Sequence, residues 1–122
     1  MEITERQGCL TLQDTHYYGV LNRDASGVWQ ILNDAGHQSA GLIAVSVDSL
    51  HRLLLTYPPV LKVGTFTVTA DETWCGKYHP GASVGLDHAL INIRNSSGVQ
   101  VYADTITGGN LFVDMWGLVE IP

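Results

Sequence analysis

The strongest constraint on the fold is the alternation of side chains in Lys62–Ala70, KVGTFTVTA. Val63 and the threonines at 65, 67 and 69 alternate with a second set that includes Phe66 and Val68. β-Branched residues dominate this segment, and they favour the pleated backbone, so the pattern predicts a strand. Gly64 predicts a bulge or a close backbone approach. The chain is therefore expected to be organised around a β-sheet.

Two structures fit the preceding segment. In the first, Ser46 is the N-cap of a helix over residues 46–57, and Pro58-Pro59 ends that helix. In the second, two strands are joined by a turn at Asp48 and Ser49. The spacing of the apolar side chains favours the helix, and we expect a strand to about residue 45 followed by a helix to about residue 57. The apolar face of this helix consists of Val47, Leu50, Leu53, Leu54 and Tyr57.

Short alternating segments elsewhere predict further strands. The clearest hairpin joins residues 88–94 to 99–104 across an NSSG turn, with Ala89, Ile91 and Ile93 on its inner face. Interruptions are expected at residues 13–15 of the first strand and at Gly117 of the last. The predicted strands outside the hairpin and Lys62–Ala70 are 8–21, 28–32 and 111–121.

These segments predict a single mainly β domain over residues 1–122. We expect a small barrel or sandwich of about seven antiparallel strands with one short helix near 46–57, since an open sheet would leave unpaired edges. The order hairpin, strand, helix, strand, hairpin is that of an OB-like barrel, but no residue motif accompanies it. Exposed strand edges also make a homodimer or larger homo-oligomer a candidate assembly.

The charge of the chain narrows the class of partner. Twelve Asp and Glu outnumber six Lys and Arg, giving a net charge of −6, and no two of the basic residues are closer than ten positions in sequence. Nucleic-acid binding depends on clustered Lys and Arg that neutralise phosphates. Neither nucleic acid nor an anionic membrane surface is therefore expected as a partner. The beginning, MEITERQ, has no apolar segment typical of a signal peptide, and a cytoplasmic protein is expected.

Residues 71–88 lack a sustained period and contain several glycines and prolines, which predicts a long loop. Such loops are uncommon in compact domains and are often functional. Aromatic side chains exposed on a loop form a binding surface or a lid over a pocket. The predicted contacts for a protein partner or small ligand are Trp74, Lys77, Tyr78 and His79.

The same loop contains reactive side chains that suggest two kinds of chemistry. Cys75, His79 and His88 are candidate zinc ligands, with Asp87, His16 or water as the fourth, although their spacing is not a recurrent zinc pattern. Alternatively, Cys75 is a nucleophile with His79 or His88 as base and Asp87 as orienting group, as in a thiol hydrolase or transferase. Neither pattern is specific, and we expect no metal and no cofactor.

Two further pairings follow from the sequence. Asp14 and His16 would share one face of a strand and form a carboxylate–imidazole pair. Cys9 and Cys75 allow one disulfide, but reduced thiols are expected inside a cell. The motifs of the common hydrolases, nucleotide-binding proteins and redox enzymes are absent. We therefore expect a non-enzymatic binding module that acts through residues 71–88, with a small thiol–imidazole enzyme as the alternative.

Overall fold

The computed structural model describes residues 11–121, so Cys9 and its pairing with Cys75 lie outside the described residues. This part of the chain contains two single-turn 3₁₀ helices, Glu72–Trp74 and Ala103–Thr105, and no α-helix. None of its helices has the length and apolar character that a bilayer crossing requires. The strands are β1 Leu12–Arg23, β2 Trp29–Leu32, β3 Ala44–Val47, β4 Leu53–Thr56, β5 Lys62–Ala70, β6 His79–Val84, β7 His88–Arg94, β8 Gln100–Val101 and β9 Leu111–Glu120.

The strands form two antiparallel sheets. The first sheet has the order β2-β1-β9-β5, and the second has the order β3-β4-β7-β6, with β8 paired to the carboxyl end of β7. β1 and β9 pair over ten residues, from Leu12 opposite Glu120 to Leu21 opposite Leu111. The predicted mainly β fold of a small barrel or sandwich is therefore confirmed.

Alternate side chains of both sheets meet in one hydrophobic core. Trp29 lies in this core, and its indole nitrogen donates a hydrogen bond of 2.8 Å to the carbonyl of Ala103. The inner face of β7 predicted for Ala89, Ile91 and Ile93 is confirmed, since all three are buried. Apart from the aromatic residues, the largest fully buried side chains are Leu21, Leu53, Leu55, Ile91, Ile93, Ile106, Leu111 and Met115.

The predicted helix over 46–57 is wrong, and the alternative of two strands and a turn is correct. The carboxylate of Asp48 accepts hydrogen bonds from the backbone N–H of Leu50 at 3.0 Å and of Arg52 at 2.8 Å, which holds the turn between β3 and β4. Leu53 then pairs with Ile91 of β7, so alternate β4 side chains enter the core. Without this helix, the basis of the OB-like interpretation is lost.

The predicted loop over 71–88 is wrong for residues 79–84, which form β6 along the edge of β7. β1 and β9 run without interruption through residues 13–15 and Gly117, where breaks were expected. The predicted irregularity at Gly64 is confirmed by a register shift between Val63 and Thr65. Backbone pairing with long neighbouring strands therefore overrides weak local preference in β6 and β9.

Tyr57 closes the end of the second sheet. Its side chain is buried, and its hydroxyl oxygen lies 2.7 Å from the carbonyl oxygen of Gly85 and 2.8 Å from that of His88. Burial, assisted by the negative charge of Asp87, raises the pKa of Tyr57 to about 12. The folded protein thus retains this proton at pH values where an unfolded tyrosine loses it.

We expect the free energy of unfolding to fall by about 2 kcal/mol between pH 10 and pH 12. The unfolded phenol ionises near pH 10, whereas the folded phenol binds its proton to about pH 12, so rising pH favours the unfolded chain. Urea denaturation across this range measures the effect. Tyr57→Phe should lose about 1–2 kcal/mol at pH 8, because the Gly85 carbonyl loses the hydroxyl donor and the His88 carbonyl keeps only the N–H of Gly85. The variant should also show a flatter alkaline decline. An unchanged alkaline decline in this variant would contradict the assignment to Tyr57.

Candidate functional site

Trp74 is buried and holds its segment against the rest of the fold, so its side chain is not exposed for contact with a ligand. Only 1% of Trp74 is exposed, and its indole nitrogen donates a 2.9 Å hydrogen bond to the carbonyl of Gly108. Tyr78 is half-buried and packs edge-on against the indole, with ring centroids 5.2 Å apart. The Lys77 ammonium lies 5.6 Å from the centre of the Tyr78 ring. Of the predicted contacts in this segment, Lys77 and His79 are the exposed ones.

The candidate thiol and metal ligands do not converge. His79 pairs with Arg94, six residues along β7 from His88, which separates the two histidines by about 20 Å at the usual rise of a strand. Cys75 is exposed and precedes His79 in the chain, while the His88 imidazole is hydrogen-bonded at 2.8 Å to Asp87. Within residues 11–121, no three His, Cys, Asp or Glu side chains are placed to hold a metal ion. The hairpin of β6 and β7 therefore places the predicted ligands at different points along its length.

A different set of side chains gathers on the outer face of the first sheet. Cross-strand pairing aligns them in three rows across β1, β9 and β5. Trp116 is 45% exposed and Phe112 is 39% exposed, although both lie on a strand with neighbours on either side. We call this surface the aromatic face. Its rows are His16–Trp116–Thr65, Tyr18–Asp114–Thr67 and Val20–Phe112–Thr69.

His16 contacts three other side chains in the middle of the aromatic face. Its imidazole stacks on the indole of Trp116 with ring centroids 4.1 Å apart and planes inclined by 4°. Its Nε2 atom lies 3.0 Å from the Asp114 carboxylate, and the ring of Tyr18 is 4.8 Å away, centroid to centroid. The carboxylate partner of His16 is therefore Asp114, across the sheet, and not the predicted Asp14.

Beside these rings the surface forms a shallow depression of about 420 Å³, whose rim includes Gln38, Thr67 and Thr69. The aromatic rings supply apolar area, and the hydroxyl, amide and carboxylate groups supply hydrogen-bonding sites around it. This arrangement is suited to contact with another molecule.

Comparisons with family models, curated proteins and solved structures gave no match. The geometry of the chain alone therefore supports what is inferred about its function.

The aromatic face was missed in the sequence, although a signal for it exists. In β9, LFVDMWGLVE, the residues Phe112, Asp114 and Trp116 alternate with the buried Leu111, Val113 and Met115. This alternation places two large aromatic rings on the side away from the core. The prediction of a strand or strand pair interrupted at Gly117 did not include this alternation.

Proposed function

We propose that this protein is a non-enzymatic binding module that contacts a partner protein through the aromatic face. The observation that carries the proposal is the exposure of Trp116 and Phe112 in the centre of a sheet. Exposed, clustered aromatic side chains are typical of protein interfaces, where tryptophan and tyrosine are enriched among the residues that contribute most to the binding free energy. The surrounding threonines supply the polar rim that such interfaces have.

The orientation of the indole favours a protein over a saccharide. His16 covers one face of the Trp116 ring, and Thr65 is its neighbour on the opposite strand. One face of the indole is therefore closed to a sugar ring. A sugar ring packs best on an open aromatic face, whereas apolar protein side chains pack against an aromatic edge as readily as against a face.

The charge of the protein favours a basic partner. The chain has a net charge of −6, and the outer side of the first sheet carries Asp14, Asp114 and Glu120 beside the base Lys62. A partner with lysines or arginines around an apolar patch complements this surface. Association should then be faster at low ionic strength and slower as salt screens the charges.

Two other functions receive less support. Contact through residues 71–88 relied on an exposed Trp74, which is buried. A thiol–imidazole enzyme requires Cys75 to meet a histidine base, and no hydrogen bond joins its thiol to His79 or His88 in the described chain. The aromatic face is therefore the better candidate for the contact surface.

The test is a binding measurement on a purified pair. A partner retrieved from the source cells is purified, and its dissociation constant is measured by calorimetry at low and moderate salt. Trp116→Ala is expected to weaken binding at least about 30-fold, as for an interface residue worth about 2 kcal/mol. Val99→Ala is the matched control, because Val99 is 60% exposed and lies outside the aromatic face; its affinity should match that of the unsubstituted protein.

A second variant separates loss of contact from loss of fold. Thr67 is exposed on the aromatic face, so Thr67→Arg adds bulk and positive charge without removing a buried group. It should weaken binding as strongly as Trp116→Ala while leaving the urea midpoint nearly unchanged. Equal affinity of both variants and the unsubstituted protein, or no protein binding at micromolar concentration, would overturn the proposal.

A further inference from the structure

A second depression lies on the outer face of the other sheet, along β6 and β7. Its volume is about 440 Å³, within the usual range of small-molecule sites. We call it the arginine groove. Pairing of β6 with β7 aligns His79 with Arg94, Gly81 with Asn92 and Ser83 with Leu90, and Arg52 approaches from the β3–β4 turn. The residues of interest in the groove are Arg52, His79, Gly81, Ser83, Asn92 and Arg94.

The groove exists because the outward residues of β6 are small in its middle. A Cβ atom added to Gly81 would meet nothing within 4 Å. The long side chains of Arg94 and His79 stand at one end, and Leu90 stands at the other. A glycine between larger neighbours on a pleated surface leaves an open space of this kind.

The two guanidinium groups of the groove differ in their pairing. Arg52 is held by Asp48, with its Nη2 and Nε atoms 2.8 and 2.9 Å from one carboxylate oxygen. Burial raises the pKa of Asp48, but hydrogen bonds from Arg52 and Leu50 and the charge of Arg52 outweigh it and lower the pKa below its usual value. The charge of Arg52 is thereby largely compensated.

Arg94, by contrast, has no carboxylate partner among the described residues. Its Nη1 donates a 2.9 Å hydrogen bond to the carbonyl of Gly98, which orients the guanidinium. Nearby, the Oδ1 atom of Asn92 is shielded from water and has no hydrogen-bond partner within the described chain. The groove thus contains a cation that has no carboxylate partner in residues 11–121, beside the polar side chains of Asn92, His79 and Ser83.

We propose that the arginine groove binds a small molecule that carries an anionic oxygen group, carboxylate or phosphate, together with a hydroxyl. The anionic group is held by Arg94 through paired N–H donors. The hydroxyl meets the polar side chains of His79 and Ser83, which line the same groove. This site is on the opposite sheet from the aromatic face and is independent of the function proposed above.

The test is a titration of the isotope-labelled protein followed by amide chemical shifts at constant ionic strength. The probes are L-malate for a hydroxycarboxylate, glycerol 3-phosphate for a hydroxylated phosphate and glycerol as the neutral control. Saturable shifts confined to residues 79–83 and 92–94 are expected with one anionic probe at about millimolar concentration, and none with glycerol. The probe that binds more tightly identifies the anionic group.

Two variants and a control locate the site. Arg94→Gln should weaken binding about tenfold or more. Gly81→Val should fill the groove and abolish binding without strain, since Gly81 is not in the left-handed backbone region. Lys62→Gln makes the same charge change on the first sheet and should leave affinity unchanged. Equal weakening in Lys62→Gln, unchanged affinity in Gly81→Val, or no saturable shift with either anion would overturn the proposal.

Discussion

Replacing Trp74 by alanine is expected to lower the free energy of unfolding by about 3–5 kcal/mol. The indole is buried and donates a hydrogen bond to Gly108. It thereby connects the turn before β6 to the loop before β9. The carboxylate of Asp71 reinforces the same connection by accepting from the backbone N–H of Asn110 at 2.9 Å. Urea denaturation followed by circular dichroism measures the loss directly.

Trp116 provides the matched control for this substitution. It is the same residue type, but it is 45% exposed on the aromatic face, so Trp116→Ala should cost about 1 kcal/mol. Trp74→Phe keeps most of the buried ring and loses the hydrogen bond, and its cost should fall between the two. Equal destabilisation by the two alanine substitutions would show that Trp74 is not the anchor inferred from its burial.

Gly109→Ala is expected to cost about 2–4 kcal/mol for two separate reasons. Gly109 has a φ of +82°, which is strained for any residue with a Cβ atom. An added Cβ would also overlap the indole ring of Trp74. Gly98→Ala isolates the first reason, because Gly98 has a φ of +81° with nothing within 4 Å of its added Cβ, and it should cost only about 1 kcal/mol.

A double-mutant cycle isolates the contact between the two sites. In the Trp74→Ala background the overlap disappears, so Gly109→Ala should cost about 1–2 kcal/mol less than in the unsubstituted protein. The measurement is the midpoint and slope of urea unfolding for all four proteins. Strictly additive costs would mean that the Gly109 loop adjusts independently of the indole.

Local patterning predicted the strands that contain β-branched alternation but not the segment before them. Lys62–Ala70 was predicted with its observed bounds, and its bulge at Gly64 was anticipated. In residues 46–57, Leu53 and Tyr57 fit both a helical stripe and a strand alternation. The deciding interaction is the pairing of Leu53 with Ile91, nearly forty residues later. No local rule contains that information.

The contacts within the candidate site could not be predicted from the sequence for the same reason. His16 meets Asp114 and Trp116 only because β1 lies beside β9 in one register, which the sequence of neither strand specifies. The segment HPGASV, residues 79–84, contains few residues with a preference for strands, yet it pairs with β7 and opens the arginine groove. The reactive side chains of Cys75 and His79 suggested a site in this segment, but the backbone pairing of the segment separates the candidate residues.

The position of β9 has a consequence for how the protein folds. β9 lies between β1 and β5, but it follows all the other described strands in the chain. Until it is in place, the two long strands that flank it lack their common neighbour, and the backbone N–H and C=O groups on their facing edges remain unpaired. The first sheet is therefore completed only by pairing between segments that are distant in the sequence, and such long-range closure is intrinsically slow.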